Sequence, residues 1–171
     1  MCVIIVKPAG VKMPSKHVLQ MAARYNPHGC GFCTKSLMYK SLDFATFMKH
    51  LSNVDDSEAC LIHFRFATTG SIKASNCHPF KDKDTFFAHN GVLSIETRND
   101  KTDSETFFKE YVMPFIRKYS FDSDEFRTLI SAYDSLNRFA IMKAGVIKLF
   151  GNFQELEGCY FSNLRFKSAF F

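Results

Sequence analysis

The chain has no tryptophan and few residues that break regular structure, with 8 glycines and 5 prolines among 171 residues. Collagen-like chains and chains rich in proline and glycine need far more of both, so these classes are excluded. No apolar run reaches the length of about 18 residues that a membrane span requires, and no basic leader precedes an apolar stretch. We therefore expect a cytoplasmic protein that does not enter the membrane.

Charges of one sign are not concentrated in any part of the chain. Lysine and arginine number 22 against 17 aspartates and glutamates, and the resulting net charge of +5 is spread along the sequence. This distribution argues against nucleic-acid binding. Phenylalanine, by contrast, is abundant at 20 residues, and 46% of the chain is hydrophobic. These features predict one globular domain over residues 1–171 with a core filled largely by phenyl rings.

Four segments repeat apolar residues at the i, i+3, i+4, i+7 spacing of a helix that packs on one side. They cover 18–25, 44–51, 108–115 and 126–133. Ser15, Asp43 and Thr102 are the capping residues expected before the first three, and Pro114 should end or kink the third helix.

Short apolar runs between these segments predict strands, and Ala144-Gly145 predicts a hairpin between two of them. The strand candidates are 2–7, 30–35, 59–67, 84–89, 137–143, 146–150 and 159–162. Strands and helices do not alternate strictly, as they would in a doubly wound parallel sheet. The pattern favours layered antiparallel sheets covered by helices.

Six cysteines would be enough for a disulfide framework, but a cytoplasmic chain should keep them as thiols. Cys30 and Cys33 have the spacing of a redox or zinc pair, although they lie in a strand-like stretch and no second CxxC follows. Further ligands would have to come from His28, His63, Cys77 and His78. We favour a structural role, with a redox or zinc site as the alternative.

Cys2 follows Met1 directly and opens an apolar run that ends at Val6. Methionine aminopeptidase accepts small second residues, and removal of Met1 would place a thiol and a free α-amine on one residue. A thiolate is a strong nucleophile, and an α-amine titrates near neutral pH, so it can take the thiol proton. Cys2 is therefore a candidate N-terminal nucleophile, and an ordinary buried cysteine is the alternative.

Polar residues at the ends of apolar strands are candidate binding groups. Arg65 presents a guanidinium fork that suits a carboxylate, or it forms a structural salt bridge. Asn90 and Gly91 can aim an amide N–H and a backbone N–H at one oxyanion, or they form a hairpin turn. Asp103 is at the predicted start of a helix. Its carboxylate either has a structural role there, because the helix dipole favours a negative charge, or binds an ammonium group. Arg65 and Asp103 together would suit an α-amino acid.

The order of these motifs resembles a class II glutamine amidotransferase domain of the N-terminal nucleophile hydrolase superfamily. That family opens with a penultimate cysteine, here Cys2, and five further motifs follow in the same order. Residues 26–31 resemble Asn-x-Asp-Gly-x-Gly, 63–70 His-x-Arg-x-Ala-Thr-x-Gly, 76–79 Asn-x-His-Pro, 89–91 His-Asn-Gly, and 103–105 Asp-(Ser/Thr)-Glu. The chain departs from the family at three positions: His28 replaces the usual Asp, Phe66 a frequent Trp, and Thr69 the His of many synthases.

The resemblance implies an α+β fold with four αββα layers, and hydrolysis of the glutamine side-chain amide without a metal or an organic cofactor. Cys2 would be the nucleophile, and Asn90 and Gly91 would bind the oxyanion. Arg65 would bind the α-carboxylate of glutamine and Asp103 its α-ammonium.

Such a domain normally hands ammonia to a synthase. About 40 residues follow the fourth helix, too few for a domain of that kind, so we expect the ammonia acceptor on a separate chain. Two alternatives remain open. One is an N-terminal nucleophile hydrolase for another γ-glutamyl or amide substrate, and the other is a non-catalytic regulatory module of the same fold.

Overall fold

The structure, a computed structural model, describes residues 2–97 and 100–170. The strands in these ranges are Val3–Lys7 (β1), Cys30–Cys33 (β2), Met38–Ser41 (β3), Cys60–Phe64 (β4), Phe80–Asp82 (β5), Thr85–Asn90 (β6), Arg138–Lys143 (β7), Val146–Phe150 (β8), Gln154–Leu156 (β9) and Cys159–Phe161 (β10). The α-helices are Lys16–Tyr25 (α1), Phe44–Leu51 (α2), Asp103–Phe107 (α3), Met113–Tyr119 (α4) and Asp124–Ser131 (α5). None of the helices in these ranges has the length and apolar character needed to cross a bilayer.

The strands form two sheets in which every pair of neighbours is antiparallel. The first has the order β3-β2-β4-β1-β10-β9, and the second has the order β5-β6-β7-β8. Strand β1 is therefore an inner strand, with β4 on one side and β10 on the other. The turn at Ala144-Gly145 joins β7 to β8 as the predicted hairpin.

Three apolar clusters separate four layers. Along β1, Val3 and Ile5 pack with residues of α1 and α2, whereas Ile4 and Val6 pack with β6 and β7 of the second sheet. This division follows from the alternation of side chains along a strand. The third cluster joins the outer face of the second sheet to α3, α4 and α5. The layers are thus helix, sheet, sheet and helix, as predicted.

The predicted helix caps are confirmed. The Ser15 side chain accepts a hydrogen bond from the backbone N–H of Val18 at the start of α1. Asp43 does the same for α2, and Thr102 for α3. Each cap satisfies an N–H group that has no partner within its own helix, so the polar residue and the apolar stripe together set where the helix begins.

The kink predicted at Pro114 takes the form of a change in helix type. Between α3 and α4 the chain forms a π-helical turn, Phe108–Val112, and the N–H of Met113 donates to the carbonyl of Phe108. Proline lacks an N–H, and its ring collides with the carbonyl four residues earlier in an α-helix. The wider turn relieves that collision and keeps the apolar side of the segment on the second sheet.

Three strands were not predicted: β3, β5 and β9. All three lie at sheet edges, have three or four residues, and are partly exposed. An edge strand needs no long apolar run because one of its sides faces solvent. The alternation that identifies a strand in a sequence is therefore missing in these segments.

Candidate active site

Cys2 directly precedes β1. Because side chains alternate along a strand, Cys2 is on the same face as Ile4 and Val6, which pack against the second sheet. Its half-buried thiol donates to the carbonyl of Phe66 at 3.3 Å, and it accepts from the N–H of the same residue at 3.2 Å. Burial raises the pKa of the Cys2 thiol, while the Phe66 N–H and the charge of Arg65 act in the opposite direction. The thiol is thus neutral at rest and needs a base before it can attack.

The segment that follows β10 holds the backbone of Cys2 and of the first residues of β1. Asn163 Nδ2 donates to the carbonyl of Cys2 at 2.9 Å. Ser162 accepts from the N–H of Ile4 through its Oγ at 2.9 Å, and its own N–H donates to the carbonyl of Ile4. The start of β1 is therefore fixed by two consecutive residues that come 160 positions later in the chain, Ser162 and Asn163.

Asn90 is the last residue of β6 and is 1% exposed. Its Nδ2 lies 2.8 Å from Ser162 Oγ, and its Oδ1 is buried with no partner among the described residues. Ser162 thus connects the amide of Asn90 in the second sheet to the strand that carries Cys2 in the first. Asn90 does not open a hairpin, because β6 pairs with β5 and β7 and the chain leaves the sheet after Asn90.

Gly91 continues from Asn90 with a φ of 155°, a region that residues with a side chain rarely adopt. A Cβ atom at this position would lie 2.1 Å from Oδ1 of Asn137. The same Oδ1 contacts Nε2 of His89 at 2.8 Å, so Asn137 cannot move without losing a buried hydrogen bond. Both the backbone conformation and the packing require glycine here.

Arg65 follows β4 directly and is 4% exposed. Its guanidinium donates to three backbone carbonyls of one loop, those of Thr69, Gly70 and Ser71. No carboxylate among the described residues forms an ion pair with it. Because a guanidinium has five N–H groups, two have no partner among the described residues. Within the described ranges, the structural salt bridge that was the alternative for Arg65 is not formed.

Asp103 is the first residue of α3 and is 7% exposed. Its carboxylate accepts from the backbone N–H groups of Leu93 and Ser104 at 2.9 and 2.8 Å, and from the Thr69 hydroxyl at 3.3 Å. No lysine or arginine within the described ranges forms a salt bridge with it. Thr69 therefore joins the two charges, since its carbonyl binds Arg65 and its hydroxyl binds Asp103.

The five residues singled out in the sequence thus lie in one connected region. Cys2 contacts the backbone of Phe66, next to Arg65, and Thr69 connects Arg65 to Asp103. On the opposite side, Ser162 connects β1 to Asn90 and Gly91. Of the residues that make these connections, Thr69 was noted in the sequence only as a departure from the family motif, and nothing in the local pattern of Ser162 and Asn163 marks them.

His28 stands where the family motif has Asp, and its ring accepts a backbone hydrogen bond. Its Nδ1 accepts from the N–H of Ala67 at 2.9 Å, and its ring lies against Phe66 with centroids 5.0 Å apart. An Asp side chain at this position could accept the same N–H. His28 therefore supports the 66–67 backbone, which in turn holds the thiol of Cys2.

We expect His28→Ala to lower the free energy of unfolding by about 1 kcal/mol, because the Ala67 N–H loses its acceptor. His28→Asp should retain most of that stability, since a carboxylate accepts the same hydrogen. Urea unfolding of the two variants and the parent protein measures the difference. Equal stability of the alanine variant and the parent protein would show that the bond contributes nothing.

A buried pair of histidines lies between the sheets behind the site. His63 Nε2 and His78 Nδ1 are 3.0 Å apart, and the N–H of His89 also approaches His78 Nδ1 at 3.4 Å. His78 Nδ1 is then the acceptor and His63 carries its hydrogen on Nε2. Burial lowers the pKa of His63 to about 3 and holds the pKa of His78 well below its usual range. Both rings are neutral in the folded protein.

We expect the protein to lose stability as the pH falls below about 6.5, the unfolded-state pKa of histidine. The folded pKa values are lowered, so the unfolded chain binds protons first, and the loss grows until the pH reaches the folded values. At pH 5 the pair should cost about 2–4 kcal/mol. Urea unfolding at pH 7 and pH 5 measures this cost. His17→Gln, at an exposed histidine, is the control and should leave the pH dependence unchanged.

Cys30 and Cys33 do not form a site. They lie in β2 and face opposite sides of the sheet, Cys30 in the cluster under the helices and Cys33 in the cluster between the sheets. All six cysteines are free thiols. Within residues 2–97 and 100–170 no group of three or more metal-binding side chains comes together.

An open cavity of about 410 Å³ adjoins the end of β1 that carries Cys2. Ser162 and Asn163 form part of its wall, and the other lining residues are Arg138, Asn152, Gln154, Leu164 and Arg165. A larger cavity of about 540 Å³ lies near α3, and Cys2 lines neither of the two cavities. The smaller cavity is the one in contact with the residues that hold Cys2 and Asn90.

A family model described as class-II glutamine amidotransferases matches residues 41–149. This match spans more than half of the chain, so the protein belongs to the class II glutamine amidotransferase family. Arg65, Asn90, Gly91 and Asp103 lie inside the matched segment, and Cys2 lies outside it.

Among solved structures, the chain is similar to glutamine phosphoribosylpyrophosphate amidotransferase from B. subtilis, solved as a complex with ADP and GMP. The TM-score is 0.59 and the sequence identity 17%, over 94% of this chain and 41% of the B. subtilis chain. This likeness confirms the fold of the N-terminal nucleophile hydrolase type. The chain spans less than half the length of that enzyme. A search of curated proteins found no significant match.

Proposed function

We propose that residues 1–171 form one glutaminase domain of a class II amidotransferase, with glutamine as substrate and Cys2 as nucleophile. The observation that supports this most is the pair of buried, opposite charges, Arg65 and Asp103, neither of which forms an ion pair with a described residue. A buried charge without a counter-ion costs several kcal/mol. A ligand with a carboxylate and an ammonium on one carbon would compensate both charges at once, and glutamine is such a ligand.

The reaction begins once Met1 is removed and the α-amine of Cys2 is free. The amine takes the thiol proton, and Sγ forms a bond to the amide carbon of glutamine. The proton passes to the amide nitrogen, the carbon–nitrogen bond breaks, and ammonia leaves a glutamyl thioester on Cys2. Water then adds to the thioester, the carbon–sulfur bond breaks, and glutamate leaves as the proton returns to Sγ.

Asn90 and Gly91 bind the negative oxygen that forms when Sγ attacks. The turn between them is rigid, because Gly91 has no room for a Cβ and Asn90 is held by Ser162. Donors fixed in this way need no reorganisation during the reaction, and each is typically worth about 2.7–4 kcal/mol. This rigidity supports an oxyanion site rather than an ordinary turn.

The released ammonia passes to a synthase. The similar B. subtilis chain extends beyond the region that this chain covers, which is 41% of its length. The present domain would supply the glutaminase half-reaction and its partner the acceptor.

The test is covalent labelling with 6-diazo-5-oxo-L-norleucine, which carries the α-carboxylate and α-ammonium of glutamine and alkylates a thiolate with loss of nitrogen gas. Intact mass and peptide mapping should find one adduct per chain, at Cys2 of a chain that lacks Met1. The other five cysteines are buried, and burial raises the pKa of Cys30 to about 12 and that of Cys159 to about 11, so they serve as internal controls. Excess glutamine should prevent labelling.

Each other outcome of the labelling experiment would favour a different function. No adduct on a chain that has lost Met1 would favour a different amide substrate. No adduct on a chain that keeps Met1 would favour a non-catalytic module, because a blocked amine cannot act as the base. Labelling that glutamine does not prevent would exclude a glutamine-shaped pocket.

A further inference from the structure

The contacts of Ser162 leave its hydroxyl hydrogen without an acceptor among the described residues. Its Oγ accepts from the N–H of Ile4 at 2.9 Å, and the Nδ2 of Asn90 lies 2.8 Å from the same oxygen. If both neighbours donate, the hydroxyl hydrogen of Ser162 has no acceptor among the described residues. At the same time the Oδ1 of Asn90, an acceptor, is buried with no partner among the described residues. One buried donor and one buried acceptor are then both unpaired, at a cost of about 1–3 kcal/mol each.

Exchanging the nitrogen and the oxygen of the Asn90 amide removes this conflict. The two atoms of a carboxamide have nearly the same shape and are assigned from their hydrogen bonds. After the exchange, Ser162 Oγ still accepts from Ile4 and donates its hydrogen to Asn90 Oδ1. The separation of 2.8 Å is the usual length of an O–H···O bond. The NH₂ group of Asn90 then takes the position in which no acceptor is present.

From these contacts we infer that Ser162 is a positioning residue: its hydroxyl donates to Asn90 Oδ1 and thereby turns the Asn90 NH₂ group towards the reacting carbonyl. The inference rests on the proposed function, since the unpaired NH₂ gains an acceptor only when an oxyanion forms. It also explains why such a costly unpaired group is retained in the core. The donor is unpaired in the ground state and paired in the transition state, which is the condition for lowering a barrier.

The contacts of Ser162 with Ile4 fix the position of the Ser162 hydroxyl beside the Asn90 amide. Its N–H and its Oγ are both bonded to the backbone of Ile4, so the hydroxyl oxygen cannot turn away from β1. The neighbouring Asn163 holds the carbonyl of Cys2. One two-residue segment therefore fixes both the nucleophile in the first sheet and the oxyanion donor in the second.

The first test is a double-mutant cycle with glutamine as substrate. Ser162→Ala should lower kcat by about 10–100-fold and leave KM within about twofold, because the amide loses its orientation while the contacts to glutamine remain. Asn90→Ala should lower kcat by about 10²–10³-fold. The double variant should be slower than Asn90→Ala by much less than the factor that Ser162→Ala causes alone, since Ser162 then has no amide to orient and only its bond from the Ile4 N–H is lost. Multiplied losses, or a loss confined to KM, would overturn the inference.

Ser123→Ala is the matched control for stability. Ser123 caps α5 on the far side of the second sheet, so its loss should destabilise the fold by about 1 kcal/mol without changing kcat. If Ser123→Ala lowered kcat as much as Ser162→Ala, the effect of Ser162 would be one of stability alone.

The second test does not depend on activity. In NMR spectra of the protein, the amide protons of Asn90 should show no strong nuclear Overhauser effect to the β-protons of Ser162, because Oδ1 and not Nδ2 faces that residue. A strong effect would overturn the inference even if Cys2 reacts with 6-diazo-5-oxo-L-norleucine. If Cys2 does not react, the proposed function fails, while the orientation of Asn90 is still decided by this measurement.

Discussion

Replacement of Cys2 by alanine is expected to stop ammonia release from glutamine, with a loss of about 10⁴-fold or more. In the proposed mechanism no other side chain can take over, since the attacking atom lies on the residue that also carries the α-amine. The fold should remain intact, because among the described residues the thiol forms two hydrogen bonds, both to the backbone of Phe66. A coupled ammonia assay and urea unfolding measure the two effects separately.

A second cysteine provides the control for this substitution. Cys159 lies in β10, in the core cluster beneath α1, and takes no part in the site. Cys159→Ala should lose some stability by leaving a small cavity, yet it should hydrolyse glutamine at the parent rate. Residual activity of a tenth or more in Cys2→Ala would exclude Cys2 as the nucleophile.

Arg65→Ala is expected to lower kcat/KM for glutamine by about two to three orders of magnitude, because the α-carboxylate loses a buried cationic partner. This substitution also frees the loop carbonyls of Thr69, Gly70 and Ser71, so a loss of loop structure must be separated from a loss of binding. Two truncated substrates achieve this. 4-Aminobutanamide lacks the α-carboxylate of glutamine, and glutaramate lacks its α-ammonium.

If Arg65 binds the carboxylate, Arg65→Ala should turn over 4-aminobutanamide as well as the parent protein does. Asp103→Asn should behave in the complementary way, with a large loss for glutamine and little for glutaramate. Arg117→Ala removes an exposed arginine paired with Asp82 and should change none of these rates. Equal losses for all three substrates would mean that Arg65 supports the loop without contacting the ligand.

The helices illustrate what local sequence can predict. The N-caps at Ser15, Asp43 and Thr102 and the helix break near Pro114 depend on bonds within a few residues, and all appear in the structure. The inner strands were predicted for a related reason, since burial on both faces requires a run of apolar residues. Their ends were predicted less well: the strand expected over 59–67 stops at Phe64, and Phe66 beyond it is 39% exposed.

The candidate site contains residues that the local sequence identifies and residues that it does not. Arg65, Asn90 and Asp103 were identified because each lies at the end or the beginning of a regular element. The order of the motifs then indicated which role each residue would have. Ser162 carries no such mark, and Thr69 was noted only as a departure within the 63–70 motif. Their importance comes from what they join, Arg65 to Asp103 in one case and β1 to Asn90 in the other.

By itself, the sequence determined the helices, the inner strands, the layered α+β class and the family, because hydrophobic periodicity, capping residues and the spacing of motifs are all written locally along the chain. Only the tertiary structure decided that two buried opposite charges share Thr69, and that a serine near the end of the chain faces the amide that closes β6. The physical reason is that the bonds between Thr69 and Asp103, Asn90 and Ser162, and Cys2 and Asn163 join positions 34, 72 and 161 residues apart, and their partners are selected by the register and packing of two sheets.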